Sequence, residues 1–324
     1  MKVAQLKAKS IYDREGGESR TVKPLGDAAT VILVRKAAAG GPFELFLMRR
    51  QQKQAFMGGA FVFPGGRLET ADTDPTLASY CEGLRPADAR RLLQEPDLSE
   101  LTARGLFLAA IRETFEEAGV LLAREEDGRT IDSADPERAA RLTACRFEIH
   151  EARVTLAELA LGEKLRYALD LLVPYSHWIT PEAEPRRFDT RFFLAALPEG
   201  QIPIHDRMEL TESRWMTPEE ALAEHAADRI ALMPPTLKTI EELAAFPSFD
   251  ALFAAARAKE IPVILPEIFR TETGVGIRLP NDPQYTGAAF PKTARPGETT
   301  RIVMENGIWR TRSGAPVTSS FPPP

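Results

Sequence analysis

Histidine and cysteine are scarce in this chain, four of one and two of the other in 324 residues. The histidines are scattered and no Cys-x-x-Cys pair exists, so an obvious zinc site is excluded. Cys81 and Cys145 read as two free thiols in a reducing compartment rather than as a disulfide framework. No apolar run is long enough to span a bilayer, and Met1 to Arg20 is mixed and charged, without the apolar core of a signal peptide. The expectation is a cytoplasmic protein with no membrane partner. Basic excess is missing too. The 41 Lys and Arg stand against 47 Asp and Glu, a formal charge of -6, which argues against nucleic acid as a partner. What is present is ordinary globular composition, 44% hydrophobic and 27% charged, enough to bury a real core.

Residues 28–34 and 43–50 read as strands, with Gly40-Gly41-Pro42 as the turn of a hairpin between them. A third strand over 60–63 is stopped by Pro64-Gly65-Gly66. Residues 74–104 are helix-like, with Pro75, Pro86 and Pro96 as helix starts or stops. The strongest helix runs over 106–118 and ends at Gly119, a good left-handed cap. Helices are expected over 136–149 and 156–172, strands over 175–179 and 187–197 and near Trp215. Thr217 opens another helix, with Pro218 in its first turn and Glu220 closing a capping box. A further helix covers 233–245, and Asn306-Gly307 turns a β-hairpin over 302–310.

The chemistry concentrates in Arg112-Glu113-Thr114-Phe115-Glu116-Glu117-Ala118-Gly119-Val120. At 100° per residue, Glu113, Glu116 and Glu117 share one helix face, and Leu108, Ile111, Phe115 and Ala118 share the opposite, core-facing one. The acidic face is expected to be exposed. Like charges at helical contact spacing cost on the order of 0.2–0.5 kcal/mol per pair. A hard divalent cation such as magnesium or manganese removes that repulsion and binds phosphate oxygens at the same time. Taken alone, the helix is equally well a solvated acidic face. Earlier in the chain, Phe63-Pro64-Gly65-Gly66-Arg67-Leu68-Glu69 puts two glycines after a strand, where backbone can approach a ligand closely.

Together the two segments resemble the box of the Nudix hydrolases. Gly66 opens it, Asp72 takes the first acidic position, and Arg112 through Val120 supply the second half. Three departures stand out. Asp72 replaces a glutamate, Thr114 occupies a usually apolar position, and the spacer between the halves is lengthened by an insertion, as in the long-insert subfamily that includes acyl-CoA diphosphatases. The resemblance implies an α/β (α+β) Nudix fold, a mixed sheet sandwiched between helices. It implies a flexible segment over 1–23, a Nudix domain over 24–246 with a helical insertion at about 73–104, and an extension over 247–324 carrying the hairpin. It also implies that Glu113, Glu116 and Glu117 ligate Mg2+ or Mn2+, that Arg112 orients a glutamate, and that a further carboxylate, Glu209 or Glu212, assists.

Upstream, Arg49, Arg50 and Gly59 before Phe63-Pro64-Gly65-Gly66 resemble part of the signature of coenzyme A diphosphatases. Ala55 stands where that signature has an arginine, and Gln51 where it has a small polar residue. The resemblance implies that Arg49, Arg50, Gly65 and Gly66 meet a small diphosphate substrate, coenzyme A or acyl-CoA. Another nucleoside diphosphate derivative (ADP-ribose or NADH) and a non-catalytic nucleotide-binding regulator remain as alternatives, and a homodimer is left open.

Overall fold

The protein is described from a computed structural model over residues 25–37, 42–52, 58–131, 135–184, 186–205, 210–272, 274–287, 294 and 297–314. The segment over 1–23 therefore lies outside the described residues, as do Ala55 and Glu209.

Strands β1 (Gly26–Arg35) and β2 (Glu44–Arg50) pair antiparallel at Val34↔Leu45. They then diverge and accept short partners. Strand β3 (Phe61–Val62) pairs with β2, and β4 (Gly65–Arg67) pairs antiparallel with β1. The two glycines expected to stop a strand are thus themselves in one, with Gly66 opposite Ala29 and Gly65 opposite Thr30. A side chain at Gly65 would meet the Ala29 carbonyl at 2.5 Å, so only glycine lets β4 lie so close to β1.

The insertion is less helical than its composition suggests. It runs through 3-10 turns at Thr70–Thr73 and Pro75–Tyr80, strand β5 (Cys81–Glu82) and helix α1 (Pro86–Leu93). Pro75 and Pro86 begin elements, as expected of a residue whose missing N–H costs nothing there. Pro96 does not. The long helix α2 (Glu100–Ala118) starts six residues before its expected beginning, capped by the Ser99 hydroxyl on the Thr102 N–H. It ends where expected, at Gly119 with φ 69°.

After α2 come β6 (Ala123–Glu125), α3 (Pro136–His150), α4 (Leu156–Glu163) and β7 (Leu165–Ala168). The single helix expected over 156–172 is therefore broken after Glu163, giving way to β7 and a 3-10 turn at Leu169–Leu171. Lys164 turns left-handed and β7 bridges β5 and β6 in a small three-stranded sheet. Strands β8 (Val173–Ile179), β9 (Phe188–Ala196) and β10 (Leu210–Met216) return to the main sheet. Helices α5 (Pro218–Ala226), α6 (Pro234–Leu243) and α7 (Phe249–Ala258) follow, with the Thr217–Glu220 capping box in place. Strand β11 (Val263–Ile264) pairs with β8. Strands β12 (Glu267–Thr271), β13 (Gly274–Arg278), β14 (Arg301–Glu305) and β15 (Ile308–Arg312) make a four-stranded meander, the last pair turning at Asn306-Gly307.

The main sheet runs β10-β2-β1-β9-β8-β11, with β1 and β9 parallel. Its alternating side chains feed two cores. Ala29, Val31, Leu33, Phe46, Met48 and Phe193 point to one face and pack on α2 and the insertion. Ile32, Val34, Leu45, Leu47 and Leu194 point to the other and pack on α5, α6, α7 and the four-stranded meander. The mixed sheet between helices is the architecture expected. Residues beyond Pro247 supply both the edge strand β11 and part of the second core, through Val275, Ile277, Ile302 and Trp309.

Candidate active site

Helix α2 is buried along nearly its whole length, from Ala103 to Ala118, with Glu113 only slightly more open than its neighbours. This corrects the expectation of an exposed acidic face: Glu116 is 7% and Glu117 8% exposed. Strands β1 and β4, helix α1, the 3-10 turn at Thr70–Thr73 and helix α3 all pack against α2. The acids are packed under protein, where an uncompensated charge is expensive.

Arg112 is their counter-charge. All five of its N–H donors are matched. Nε and Nη2 grip both carboxylate oxygens of Asp72 at 2.9 and 3.0 Å, Nη2 also donates to the Arg67 carbonyl at 2.8 Å, and Nη1 donates to Glu113 at 2.9 Å and Glu116 at 3.0 Å. Asp72 is 1% exposed and closes its own turn by accepting the Glu69 N–H. A forked, bidentate arginine–carboxylate pair is the strongest geometry this chemistry offers. It ties the second half of the motif to the first across the insertion. Gly105 permits the approach, since a side chain there would meet Thr73 Cγ2 at 2.8 Å.

The glycine strand touches two of the three glutamates. The Gly65 N–H donates to Glu117 Oε2 at 2.9 Å. The Glu113 carboxylate lies on Gly66, so close that a Cβ there would sit 2.2 Å from Glu113 Oε1. Glu116 takes a different third partner, His150 Nδ1 at 3.3 Å from Oε2, while Arg146 Nε donates to the Glu116 carbonyl at 2.7 Å. Neither α3 residue was expected at the site, because only tertiary packing brings them there.

Burial pushes the Glu113 carboxyl up, to about 7, against the pull of Arg112 and with the push of Glu116 and Asp72. Burial alone would lower the Arg112 pKa, but Asp72, Glu113 and Glu116 outweigh it and hold the guanidinium charged. Three carboxylates, those of Asp72, Glu113 and Glu116, thus share one buried arginine. Among the described residues no three His, Cys, Asp or Glu side chains already close around one point. The donor set still fits a hard divalent cation: three carboxylates beside a glycine strand whose backbone is free of side chains.

The remaining expected residues are not all gathered here. Side-chain alternation puts Arg50 on the α2 face of β2, in phase with Phe46 and Met48, and Arg49 on the opposite face, in phase with Leu45 and Leu47. Glu212, on β10, reaches Arg49 on the neighbouring β2 at 3.7 Å and Arg214 on its own strand at 2.5 Å, so it stands with Arg49 and away from the α2 face. Both cysteines are free, and no helix of the described residues is long and apolar enough to cross a membrane.

Comparison with known proteins places this geometry in context. The model of the NUDT19 Nudix domain matches residues 26–243. The chain is 31% identical to acyl-coenzyme A diphosphatase NUDT19 of Gallus gallus, covering 81% of each protein. It is 31% identical to the protein of that name from Homo sapiens, over 75% of this chain and 72% of the other. Among solved structures, a NUDIX hydrolase from Alicyclobacillus acidocaldarius superposes with a TM-score of 0.58 at 25% identity, over 72% of this chain and 98% of that one.

Proposed function

Because the chain belongs to the NUDT19 Nudix domain family, we propose that it hydrolyses the diphosphate of acyl-coenzyme A or coenzyme A, giving adenosine 3',5'-bisphosphate and (acyl-)phosphopantetheine. The chain is a Nudix hydrolase acting on diphosphates, and its curated relatives are named for the acyl-coenzyme A substrate. Hydrolysis adds one water across the P–O–P bond and leaves two phosphomonoesters.

Glu113, Glu116 and Glu117 are the side chains that would hold Mg2+ or Mn2+. Such an ion polarises a phosphoryl oxygen and lowers the pKa of a bound water. The chain's own groups prepare the place. Arg112 fixes Glu113 and Glu116 from one side, and the Gly65 N–H fixes Glu117 from the other. Gly66 keeps the strand clear of any side chain against Glu113. Arg50, on the face that carries these acids, is the candidate for a phosphate of the substrate, where an arginine makes paired charge-assisted contacts. The two free thiols fit a reducing compartment, which supports a cytoplasmic place of work.

The observation that carries the reading is the contact of Glu113 and Glu117 with Gly66 and Gly65, which joins the two halves of the motif at one buried spot. The test is chromatography of products after incubation with Mg2+ or Mn2+ and a panel of coenzyme A, acyl-CoA, ADP-ribose, NADH and diadenosine polyphosphates. Cleavage of the acyl-CoA members is expected to dominate. Glu116→Gln should lower kcat by at least about 100-fold, the scale of losing a group that acts in the transition state, with an unchanged circular dichroism spectrum. Full activity in that variant would remove Glu116 from the site.

A further inference from the structure

Helix α3 lies outside both halves of the motif, yet two of its residues converge on one glutamate. Arg146 and His150 are four apart, so they share a face of α3. Arg146 is 7% exposed and donates to the Glu116 carbonyl at 2.7 Å. Its guanidinium also packs on Gly119, where a Cβ would sit 2.9 Å from Nη1. A side chain at Gly119 would press on this contact, so the glycine serves α3 docking as well as the helix cap. One turn on, His150 Nδ1 lies 3.3 Å from Glu116 Oε2. The other oxygen, Oε1, accepts from Arg112. Glu116 is thus gripped at its backbone and at both carboxylate oxygens, and α3 supplies two of the three grips.

We infer that His150 is a positioning residue for the proposed hydrolysis: its Nδ1–H holds the second oxygen of Glu116, so that this carboxylate is fixed in orientation before a cation arrives. An ionised carboxylate only accepts hydrogen bonds, so the ring must present its proton at Nδ1. Without that bond Glu116 pivots about its single contact with Arg112. Partners of this kind, one step behind the ligands, set metal affinity by orienting the ligand, and their loss typically costs about 10- to 100-fold in affinity or activity. His150 is 26% exposed and is the last residue of α3, so its replacement removes little buried surface. The role rests on the diphosphatase reading and deepens it.

The experiment measures Mn2+ binding by electron paramagnetic resonance, at one pH, on the full chain, together with kcat and KM for acyl-CoA. His150→Ala is expected to weaken Mn2+ binding by about tenfold and to lower kcat by a similar factor. KM and the melting temperature should stay close to wild type. In His150→Asn the amide nitrogen stands where Nδ1 stood, and this variant is expected to recover most of both losses. In His150→Gln the amide nitrogen reaches the place of Nε2 instead and is expected to recover neither. Wild-type Mn2+ affinity in His150→Ala, or equal failure of the Asn and Gln variants, overturns the role. If Glu116→Gln abolishes both Mn2+ binding and hydrolysis while His150→Ala changes neither, the positioning role falls and the diphosphatase reading stands. If the wild-type protein neither binds Mn2+ nor cleaves a diphosphate, both fall.

Discussion

The two faces of the main sheet carry the same kind of ion pair in opposite circumstances. On the α2 face, Arg112 and Asp72 are 7% and 1% exposed and joined by two short bonds. On the other face, Arg49 and Glu212 are 37% and 32% exposed and 3.7 Å apart. Both are arginine–carboxylate contacts, and a sequence cannot tell them apart. Burial does. The exposed pair trades one solvated state for another, whereas the buried one holds charges that have nowhere else to find a partner. The lesson is that the charge worth following in this protein is the charge the fold has covered.

The strongest test of that contrast removes one arginine from each face. Arg112→Met leaves Asp72, Glu113 and Glu116 buried without their shared donor. The expected loss is about 3–5 kcal/mol of unfolding free energy, the range for breaking a buried pair from one side. Arg214→Met, on the face with Glu212, is expected to cost under about 1 kcal/mol. Urea denaturation in EDTA measures both. Similar costs for the two would mean that burial does not separate the faces.

A smaller effect separates two adjacent glycines that look in opposite directions. Gly66 faces α2, and an added methyl would strike the end of a flexible side chain, Glu113. Gly65 faces the backbone of β1, where a methyl would meet the Ala29 carbonyl and Thr30 Cα at 2.5 and 2.7 Å. Gly66→Ala is therefore expected to damage catalysis first, lowering kcat by about tenfold through a displaced ligand. Gly65→Ala should destabilise the fold by about 1–3 kcal/mol, because backbone gives way less readily than a side chain. Equal stability losses with no catalytic difference would erase the distinction.

These particulars also show what a sequence carries. Elements with their own punctuation were legible: Gly119 ends α2, Thr217 and Glu220 cap α5, and Asn306-Gly307 turns β14 into β15. The acidic helix and the glycine pair could be read because each is a local pattern with a chemical purpose. What could not be read depends on partners far away in the chain. The exposure of Glu116 and Glu117 is decided by α1, α3 and the sheet, none of which the helix encodes. His150 reaches Glu116 across 34 residues of sequence, with no spacing rule to announce it. The stretch over 165–168 has apolar residues at helical spacing but pairs as β7, because β5 and β6 offer free edges. Arg49 and Arg50 looked interchangeable as neighbours, and only the phase of β2 assigns them to different faces.

That phase yields the gentlest of the three tests. If the diphosphate is cleaved where Glu113, Glu116 and Glu117 lie, only the α2 face of β2 can offer a side chain to it. Arg50→Ala should raise KM for acyl-CoA by about three- to tenfold, the loss of one hydrogen bond worth roughly 1 kcal/mol net, with kcat little changed. Arg49→Ala should leave KM within about twofold, since its carboxylate partner Glu212 stands beside it on the other face. Steady-state kinetics on the two single variants settles the matter. A KM effect confined to Arg49 would mean that the substrate wraps around the edge of the sheet, and the two faces would then share one site.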